Sequence, residues 1–202
     1  MKVIEQLLTS AGISPIAGVD EAGRGACAGP LVIASVVLND PFAPELAVVR
    51  DSKEIAENKR DAVFELIHQV AASVSVVIVP ASEVDSRGVH AANLDGMRRA
   101  VQGLAIEPAY VLTDGYAIEG LGLPNLAVWK GDQVVVSISA ASVIAKVTRD
   151  RIMREMDSEF PQYGFAGHKG YITAAHTKAL NEHGPCAQHR RSFANVAALI
   201  HK

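Results

Sequence analysis

Four acidic residues lie at the ends of apolar segments or beside glycines, where their side chains could bind metal ions. Asp20 and Glu21 are adjacent at the end of an apolar segment. Asp114 ends a second apolar segment, and both Asp114 and Asp132 lie next to a glycine. Carboxylate oxygens are the ligands that hard divalent cations prefer, whereas Zn²⁺ favours histidine and cysteine. If the four acids meet, they predict a site for Mg²⁺ or Mn²⁺ and argue against Zn²⁺.

A simpler explanation needs no function for any of these acids. Asp-Gly is a common turn dipeptide, and aspartate before a helix is a common cap. Neighbours on a continuing strand point to opposite faces, so Asp20 and Glu21 converge only if the chain turns after them. Gly23 and Gly25 permit such a turn. The spacing alone therefore does not decide whether these acids form a functional site.

The acids are embedded in alternating apolar and amphipathic segments, which predict an α/β fold. The strand order cannot be derived from the pattern. The last ~40 residues lack a strand pattern, so a helical appendage is expected there. The predicted strands are 16–19, 31–38, 74–79, 110–113 and 124–129, and the predicted helices are 54–72, 89–104, 139–156, 173–182 and 192–201.

Seven short motifs follow one another from residue 16 to residue 193. They are residues 16–25 (IAGVDEAGRG), 51–53 (DSK), 111–115 (VLTDG), 130–132 (KGD), 139–150 (SAASVIAKVTRD), 160–171 (FPQYGFAGHKGY) and 189–193 (HRRSF). In this order they resemble the motifs of ribonuclease HII, the bacterial type 2 ribonuclease H. One such motif carries little weight, but seven in order over nearly the whole chain are specific.

The resemblance implies an endonuclease that uses two divalent ions, Mg²⁺ or Mn²⁺, held by the catalytic carboxylates Asp20, Glu21, Asp114 and Asp132. It would cut the RNA strand of RNA–DNA hybrids, and would cut 5′ to single ribonucleotides in duplex DNA, leaving 5′-phosphate and 3′-hydroxyl ends. Clustered acids repel one another, so at least one should hold its proton unusually tightly. Asp150 does not match the family's fourth acid, and we interpret it as a structural acid paired with a neighbouring arginine.

The same resemblance implies a fold and a domain division. We expect a ribonuclease H-like mixed sheet flanked by helices, with a small C-terminal helical appendage. Residues 1–160 would form the catalytic core, and residues 161–202 a helical subdomain that completes the substrate groove.

Substrate discrimination would depend on the 2′-hydroxyl, the group that separates RNA from DNA. Gly23, Arg24 and Gly25 resemble the family loop whose backbone meets this hydroxyl, since glycine lets a backbone approach a ligand closely. Tyr171 matches the family tyrosine that packs on the adjoining sugar, although alone it would suit a half-buried core position. The candidate phosphate contacts are Lys53, Lys146, Lys169, Arg190 and Arg191.

Composition adds only weak constraints. The net charge of −3 shows no global basic footprint, although the C-terminal third is locally basic. The N-terminus does not resemble a signal peptide, and no window reaches the ~20 apolar residues of a membrane span, so we expect a cytoplasmic protein. Cys27 and Cys186 have no metal-ligand spacing, and Cys27 is expected to be a small core residue. No protein partner is implied, and a monomer is expected.

Two other functions fit parts of the sequence. A related ribonuclease H-like nuclease or strand-transfer enzyme would use the same acids on a different substrate. A hybrid-binding module would have lost activity, but the four intact acids argue against it. Metal-dependent cleavage of a duplex with one ribonucleotide separates these alternatives, because a related nuclease would ignore the ribose and a binding module would not cut.

Overall fold

A five-stranded mixed sheet forms the centre of the computed structural model, which describes residues 3–49 and 55–200. The strands are β1 (Ile16–Ala22), β2 (Leu31–Leu38), β3 (Ala71–Val79), β4 (Tyr110–Asp114) and β5 (Asn125–Val128). The helices are α1 (Val3–Ser10), α2 (Glu57–Val70), α3 (Ala81–Arg87), α4 (Val89–Gln102), α5 (Gly131–Val134), α6 (Val136–Glu159), α7 (Phe165–His168), α8 (Ala174–His183) and α9 (Ala194–Ile200), with a 3₁₀ turn at Pro44–Val48.

The strand order is β3-β2-β1-β4-β5, and it places two acids next to each other at the carboxyl ends of β1 and β4. β1 pairs antiparallel with β2 and parallel with β4. Val19 lies opposite Thr113 in the parallel pair, so the next residues, Asp20 and Asp114, lie side by side where this pairing ends. Parallel pairing therefore explains how acids 94 positions apart in sequence become neighbours.

The core lies on both faces of the sheet. All eight residues of β2 are buried, as its unbroken apolar run predicts for a strand covered on both sides. Val32 and Val36 pack in one cluster with α2 and α6, whereas Leu31 and Ile33 pack in another with α4. No helix among the described residues combines the length and apolarity needed to cross a bilayer.

The predicted elements are present, with several corrections. β1 does not stop before the acids but continues through Asp20 and Glu21 to Ala22. The sequence pattern did not predict helices α1, α3, α5 and α7, and the helix predicted to end at residue 72 ends at Val70, where β3 follows. Helix α6 begins at Val136 rather than at Ser139, because the carboxylate of Glu5 in α1 accepts the backbone N–H groups of Val136 and Ser137 at 2.9 and 3.0 Å. A cap contributed by a residue 131 positions away cannot be seen in a local pattern.

Residues 161–200 contain only short helices among their regular elements, and they attach to the loop that follows β1. The carbonyl of Gly170 accepts the N–H groups of Cys27 and Ala28, and the carbonyl of Cys27 accepts the N–H of Arg190. Cys27 is fully buried, as expected. The division at residue 160, and the subdomain's part in the substrate groove, stay predictions.

Candidate active site

Three aspartates meet where β1 and β4 end. Asp20 lies on β1, Asp114 ends β4, and Asp132 lies in the first turn of α5. One carboxylate oxygen from each lies within 4.8 Å of the other two. A donor set made only of carboxylates, at this spacing, fits a hard divalent cation.

Backbone groups hold two of the three acids in position. The backbone N–H of Glu21 donates to Asp20 Oδ1 at 2.7 Å, and the N–H of Gly131 donates to Asp114 Oδ1 at 2.7 Å. The hydroxyl of Ser139 donates to the backbone carbonyl of Asp132 at 2.5 Å. Ser139 therefore anchors the turn that carries Asp132, which is a structural role.

The pKa of the Asp20 carboxyl is raised well above its usual value. Burial is the largest cause, because it penalises the charged form, and the charges of Glu21 and Asp114 add to it. Hydrogen bonds from Ser142 and from the Glu21 backbone act in the opposite direction. The expectation that one acid of the cluster holds its proton unusually tightly is confirmed. A divalent cation would relieve the same repulsion.

Glu21 lies beside the cluster but does not join the three mutually close carboxylates. Because β1 continues through both acids, their side chains leave opposite faces of the sheet. Asp20 lies on the face covered by α6, where Ser142 reaches it. Glu21 borders the cleft from the other face. The structure thus brings all four predicted acids to one cleft, with Glu21 on a separate side of it.

The cleft has two lobes that share Glu21, Arg24 and Asp114. The tyrosine lobe, of about 380 Å³, is also lined by Asp20, Ala22, Gly23, Gly25, Ser142, Lys146 and Tyr171. The tryptophan lobe, of about 480 Å³, is also lined by Gly115, Tyr116, Trp129, Lys130, Asp132 and Gln133. All the residues predicted to read the 2′-hydroxyl therefore lie in the tyrosine lobe.

Two buried arginines tie the Gly23-Arg24-Gly25 loop to the C-terminal residues. Arg149 of α6 donates to the carbonyls of Pro30, Ala28 and Lys169 at 2.9–3.1 Å. Arg190 donates to the carbonyl of Gly29 at 3.0 and 3.1 Å, and to that of Arg24 at 3.1 Å. The guanidinium group suits this task because its planar fork offers five donors.

The prediction that Arg190 contacts phosphate is therefore wrong, since its side chain is fully buried and bonded to carbonyls. Burial lowers its pKa to about 10, and the charge of Arg149 adds to that effect. The bracing role of both arginines could not be predicted from the sequence. A count of basic residues does not distinguish a buried arginine from an exposed one.

The two glycines of the loop serve different purposes. Gly23 has φ +88°, and a Cβ there would overlap the side chain of Arg149, so the folded protein itself requires glycine. A Cβ at Gly25 would meet no atom within 4 Å. Packing within the folded protein therefore does not require glycine at position 25.

The three lysines that were predicted to contact phosphate differ in where the structure places them. Lys53 lies outside the described residues. Lys169 donates to the carbonyl of Ala166 and lies 3.8 Å from a carboxylate oxygen of Glu57, and it does not line either lobe. Lys146 does line the tyrosine lobe, where its Nζ is 2.7 Å from Asp150 Oδ1. Asp150 is thus paired with a lysine rather than with the expected arginine.

A histidine pair supports the backbone of Tyr171. The backbone N–H of Cys186 donates to His189 Nδ1 at 3.0 Å, which leaves the proton of His189 on Nε2. That Nε2 lies 3.0 Å from His176 Nε2, and His176 Nδ1 lies 2.9 Å from the carbonyl oxygen of Tyr171. The three distances fit one chain of hydrogen bonds with both rings neutral. The pair therefore braces the backbone of Tyr171.

Acidification should destabilise this part of the protein. Burial, and then the charge of His176, lowers the pKa of His189 to about 4 from 6.5, and the pKa of His176 is lowered mainly by burial. In the window between these values the unfolded chain binds more protons than the folded one, so stability falls as pH falls. Between about pH 7 and about pH 5, roughly 2 kcal/mol should be lost through His189. Denaturant unfolding at about pH 7 and about pH 5 measures the loss.

Two variants control this measurement. His189→Gln should show a smaller loss, whereas the exposed His183→Gln should behave like the unmodified protein. The raised pKa of Asp20 contributes with the opposite sign, and comparing variants removes that contribution. Equal losses in all three proteins would contradict the role given to His189.

A family model described as Ribonuclease HII matches residues 17–196. The chain belongs to the ribonuclease HII family. Ribonuclease HII of Acidothermus cellulolyticus is 57% identical over 192 residues, which are 95% of this chain and 62% of that protein. The chain thus spans less than two thirds of that relative's length. The prediction of an endoribonuclease is confirmed at the level of the family.

Solved structures of ribonucleases H confirm the predicted fold. The ribonuclease H2 from Pyrococcus horikoshii OT3 has a TM-score of 0.78 and 26% identity, over 91% of this chain and 96% of that one. The structure of the PCNA:RNase HII complex from Archaeoglobus fulgidus gives a TM-score of 0.77 and 26% identity, over 88% of this chain and 94% of that one. PCNA binding is a property of that protein; for this chain, a monomer without a protein partner stays a prediction.

Proposed function

We propose that the chain hydrolyses the RNA strand of RNA–DNA hybrids and cuts duplex DNA 5′ to a single ribonucleotide, with Mg²⁺ or Mn²⁺. One observation carries this proposal: the three clustered aspartates share a cleft with the Gly23-Arg24-Gly25 loop and Tyr171. Carboxylates that can hold metal ions would thus stand beside the groups proposed to recognise a ribose.

The residues of the cleft would divide the work. Asp20, Asp114, Asp132 and, from the other side, Glu21 would hold two divalent ions, which supply an activated water and stabilise the leaving 3′ oxygen. The water oxygen would bond to phosphorus and lose a proton to solvent, while the bond from phosphorus to the 3′ oxygen breaks and that oxygen takes up a proton, which would leave a 5′-phosphate and a 3′-hydroxyl. Lys146 would face the phosphate, oriented by its ion pair with Asp150.

Two groups would read the sugar. The exposed backbone at Gly25 would meet the 2′-hydroxyl, because no side chain blocks the approach. Tyr171, a residue that is 39% exposed, would pack on the adjoining sugar. Its position depends on the histidine pair and on Arg149, whose guanidinium carbon lies 5.4 Å from the ring centroid.

Cleavage of a DNA duplex that contains one ribonucleotide tests the proposal. With Mg²⁺ or Mn²⁺ the protein should cut on the 5′ side of that nucleotide, and a chelator should abolish the reaction. The same duplex without the ribonucleotide should stay intact. If the protein cuts long hybrids but not the single-ribonucleotide duplex, the roles proposed for the loop and for Tyr171 are wrong. The proposed metal site would not be affected by that result. Cutting that does not depend on the ribose would favour a related nuclease. Binding of the duplex without cutting would favour a binding module.

The variant Gly25→Ala tests directly whether the backbone at position 25 contacts the substrate. The folded protein has room for this methyl group, so its free energy of unfolding should change by less than about 1 kcal/mol. Cleavage at the ribonucleotide should nevertheless fall by about tenfold or more, because the methyl group would stand where the sugar approaches. Unchanged cleavage would show that the backbone at position 25 does not contact the substrate.

A further inference from the structure

Trp129 is 82% exposed at the rim of the tryptophan lobe, immediately after β5. Tryptophan carries one of the largest apolar surfaces of any side chain and is highly buried on average. An exposed tryptophan beside an acid cluster in a cleft therefore indicates a surface that a ligand covers.

The backbone next to this residue is held in an unusual conformation. Lys130 has φ 53°, in the left-handed region that a non-glycine residue rarely adopts. The turn at Lys130 leads directly into α5, which brings Asp132 to the cluster, while Trp129 stays at the rim. One local bend thus positions a candidate metal ligand and an exposed aromatic three residues apart.

The rest of the lobe has the chemistry of a nucleotide site. Arg24 lies with its guanidinium carbon 4.6 Å from the ring centroid of Tyr116, and Lys130 and Gln133 are exposed at the same rim. Cationic groups suit phosphate, and aromatic rings suit sugars and bases. The volume of about 480 Å³ falls within the ~300–1,000 Å³ typical of small-ligand sites, so one nucleotide fits.

The tryptophan lobe also continues the lobe that contains Tyr171. Glu21, Arg24 and Asp114 line both, so a strand whose scissile phosphate lies at the acids would extend into each lobe. Tyr171 and Trp129 would then flank that phosphate from different sides. Continuity with the acid cluster, together with the cationic rim, makes nucleic acid the fitting occupant.

We propose that Trp129 is the stacking platform of a second nucleotide subsite, which holds a nucleotide of the cleaved strand on the other side of the scissile phosphate from Tyr171. The proposal rests on the proposed function, because the acid cluster must be where the phosphate lies. The side chain of Trp129 acts in binding and orientation, not in bond breaking.

The chain has a single tryptophan, so its fluorescence reports this contact directly. The duplex with one ribonucleotide is titrated into the protein with Ca²⁺ in place of Mg²⁺, which should slow turnover because its looser coordination positions the reacting groups less well. Binding is followed in parallel by the anisotropy of a label at a distant duplex end. Tryptophan emission should be quenched, and the quenching should saturate together with the anisotropy.

Substitution measures the energetic contribution. Trp129→Ala should raise Kd about tenfold, the contribution expected of one stacked base, and Trp129→Phe should keep most of the affinity. Val134→Ala is the matched control, because Val134 is 41% exposed in the neighbouring helix α5 and lines neither lobe. It should leave Kd unchanged.

The outcomes separate the two proposals. Unchanged emission at saturation, or an unchanged Kd in Trp129→Ala, would overturn the second subsite while leaving the proposed function intact. A protein that neither binds nor cuts the ribonucleotide duplex would overturn both. Because Trp129 is exposed, its replacement removes few contacts within the protein, and unfolding midpoints of the variants check this directly.

Discussion

Asp20→Asn, Asp114→Asn and Asp132→Asn are each expected to lower kcat by about 10³-fold or more. Each replacement keeps the size of the side chain but removes a negative charge from the cluster of oxygens within 4.8 Å of one another. A bound divalent ion contributes several kcal/mol of transition-state stabilisation, and about 4 kcal/mol corresponds to about 10³-fold in rate. Single-turnover cleavage with saturating Mg²⁺ measures the loss.

Stability separates this effect from unfolding. Asp20 is buried among like charges that raise its pKa, so a neutral amide there should leave the free energy of unfolding unchanged or raise it. Asp150→Asn is the control, since Asp150 pairs with Lys146 and does not belong to the cluster. It should keep much more activity than the other three. An active Asp132→Asn beside an inactive, folded Asp150→Asn would show that the fourth acid is wrongly assigned.

Gly18→Ala is expected to destabilise the protein by roughly 3 kcal/mol or more, or to prevent folding. Gly18 lies in the middle of β1, and a Cβ there would overlap backbone atoms of Ser137 and Ile138 at the start of α6. Backbone on both sides cannot move as a flexible side chain can. Strand and helix would have to separate, and with them the supports of Asp20 and Asp132. Denaturant unfolding of the purified variant, or its soluble yield, measures the effect.

Gly167→Ala provides the comparison for that variant. A Cβ at Gly167 would meet no atom within 4 Å, and its φ is not in the left-handed region. This change should alter the free energy of unfolding by less than about 1 kcal/mol. A Gly18→Ala protein as stable as Gly167→Ala would mean that β1 and α6 are not packed backbone to backbone.

The four acids, all five strands and the longer helices could be predicted from the sequence, whereas the order of the strands in the sheet could not. The apolar run at Leu31–Leu38 predicts a buried strand because both faces of such a strand need apolar side chains, and the structure covers both. Asp20, Glu21, Asp114 and Asp132 follow from motif matches, which are local strings of residues. The α/β class follows from alternating periodicities of the same short range.

Only the tertiary structure decided which of these residues lie together, which are buried and which are exposed at the cleft. Parallel pairing of β1 with β4 makes neighbours of Asp20 and Asp114, and the continuation of β1 places Glu21 on the other face. The sequence predicts Arg190 to be a surface charge. In the structure it is buried and donates a hydrogen bond to the carbonyl of Arg24, 166 positions away. Trp129 reads as part of a strand, yet its ring is exposed at the cleft. Periodicity and motifs record only near neighbours along the chain, whereas burial and bracing depend on partners that folding brings from far away.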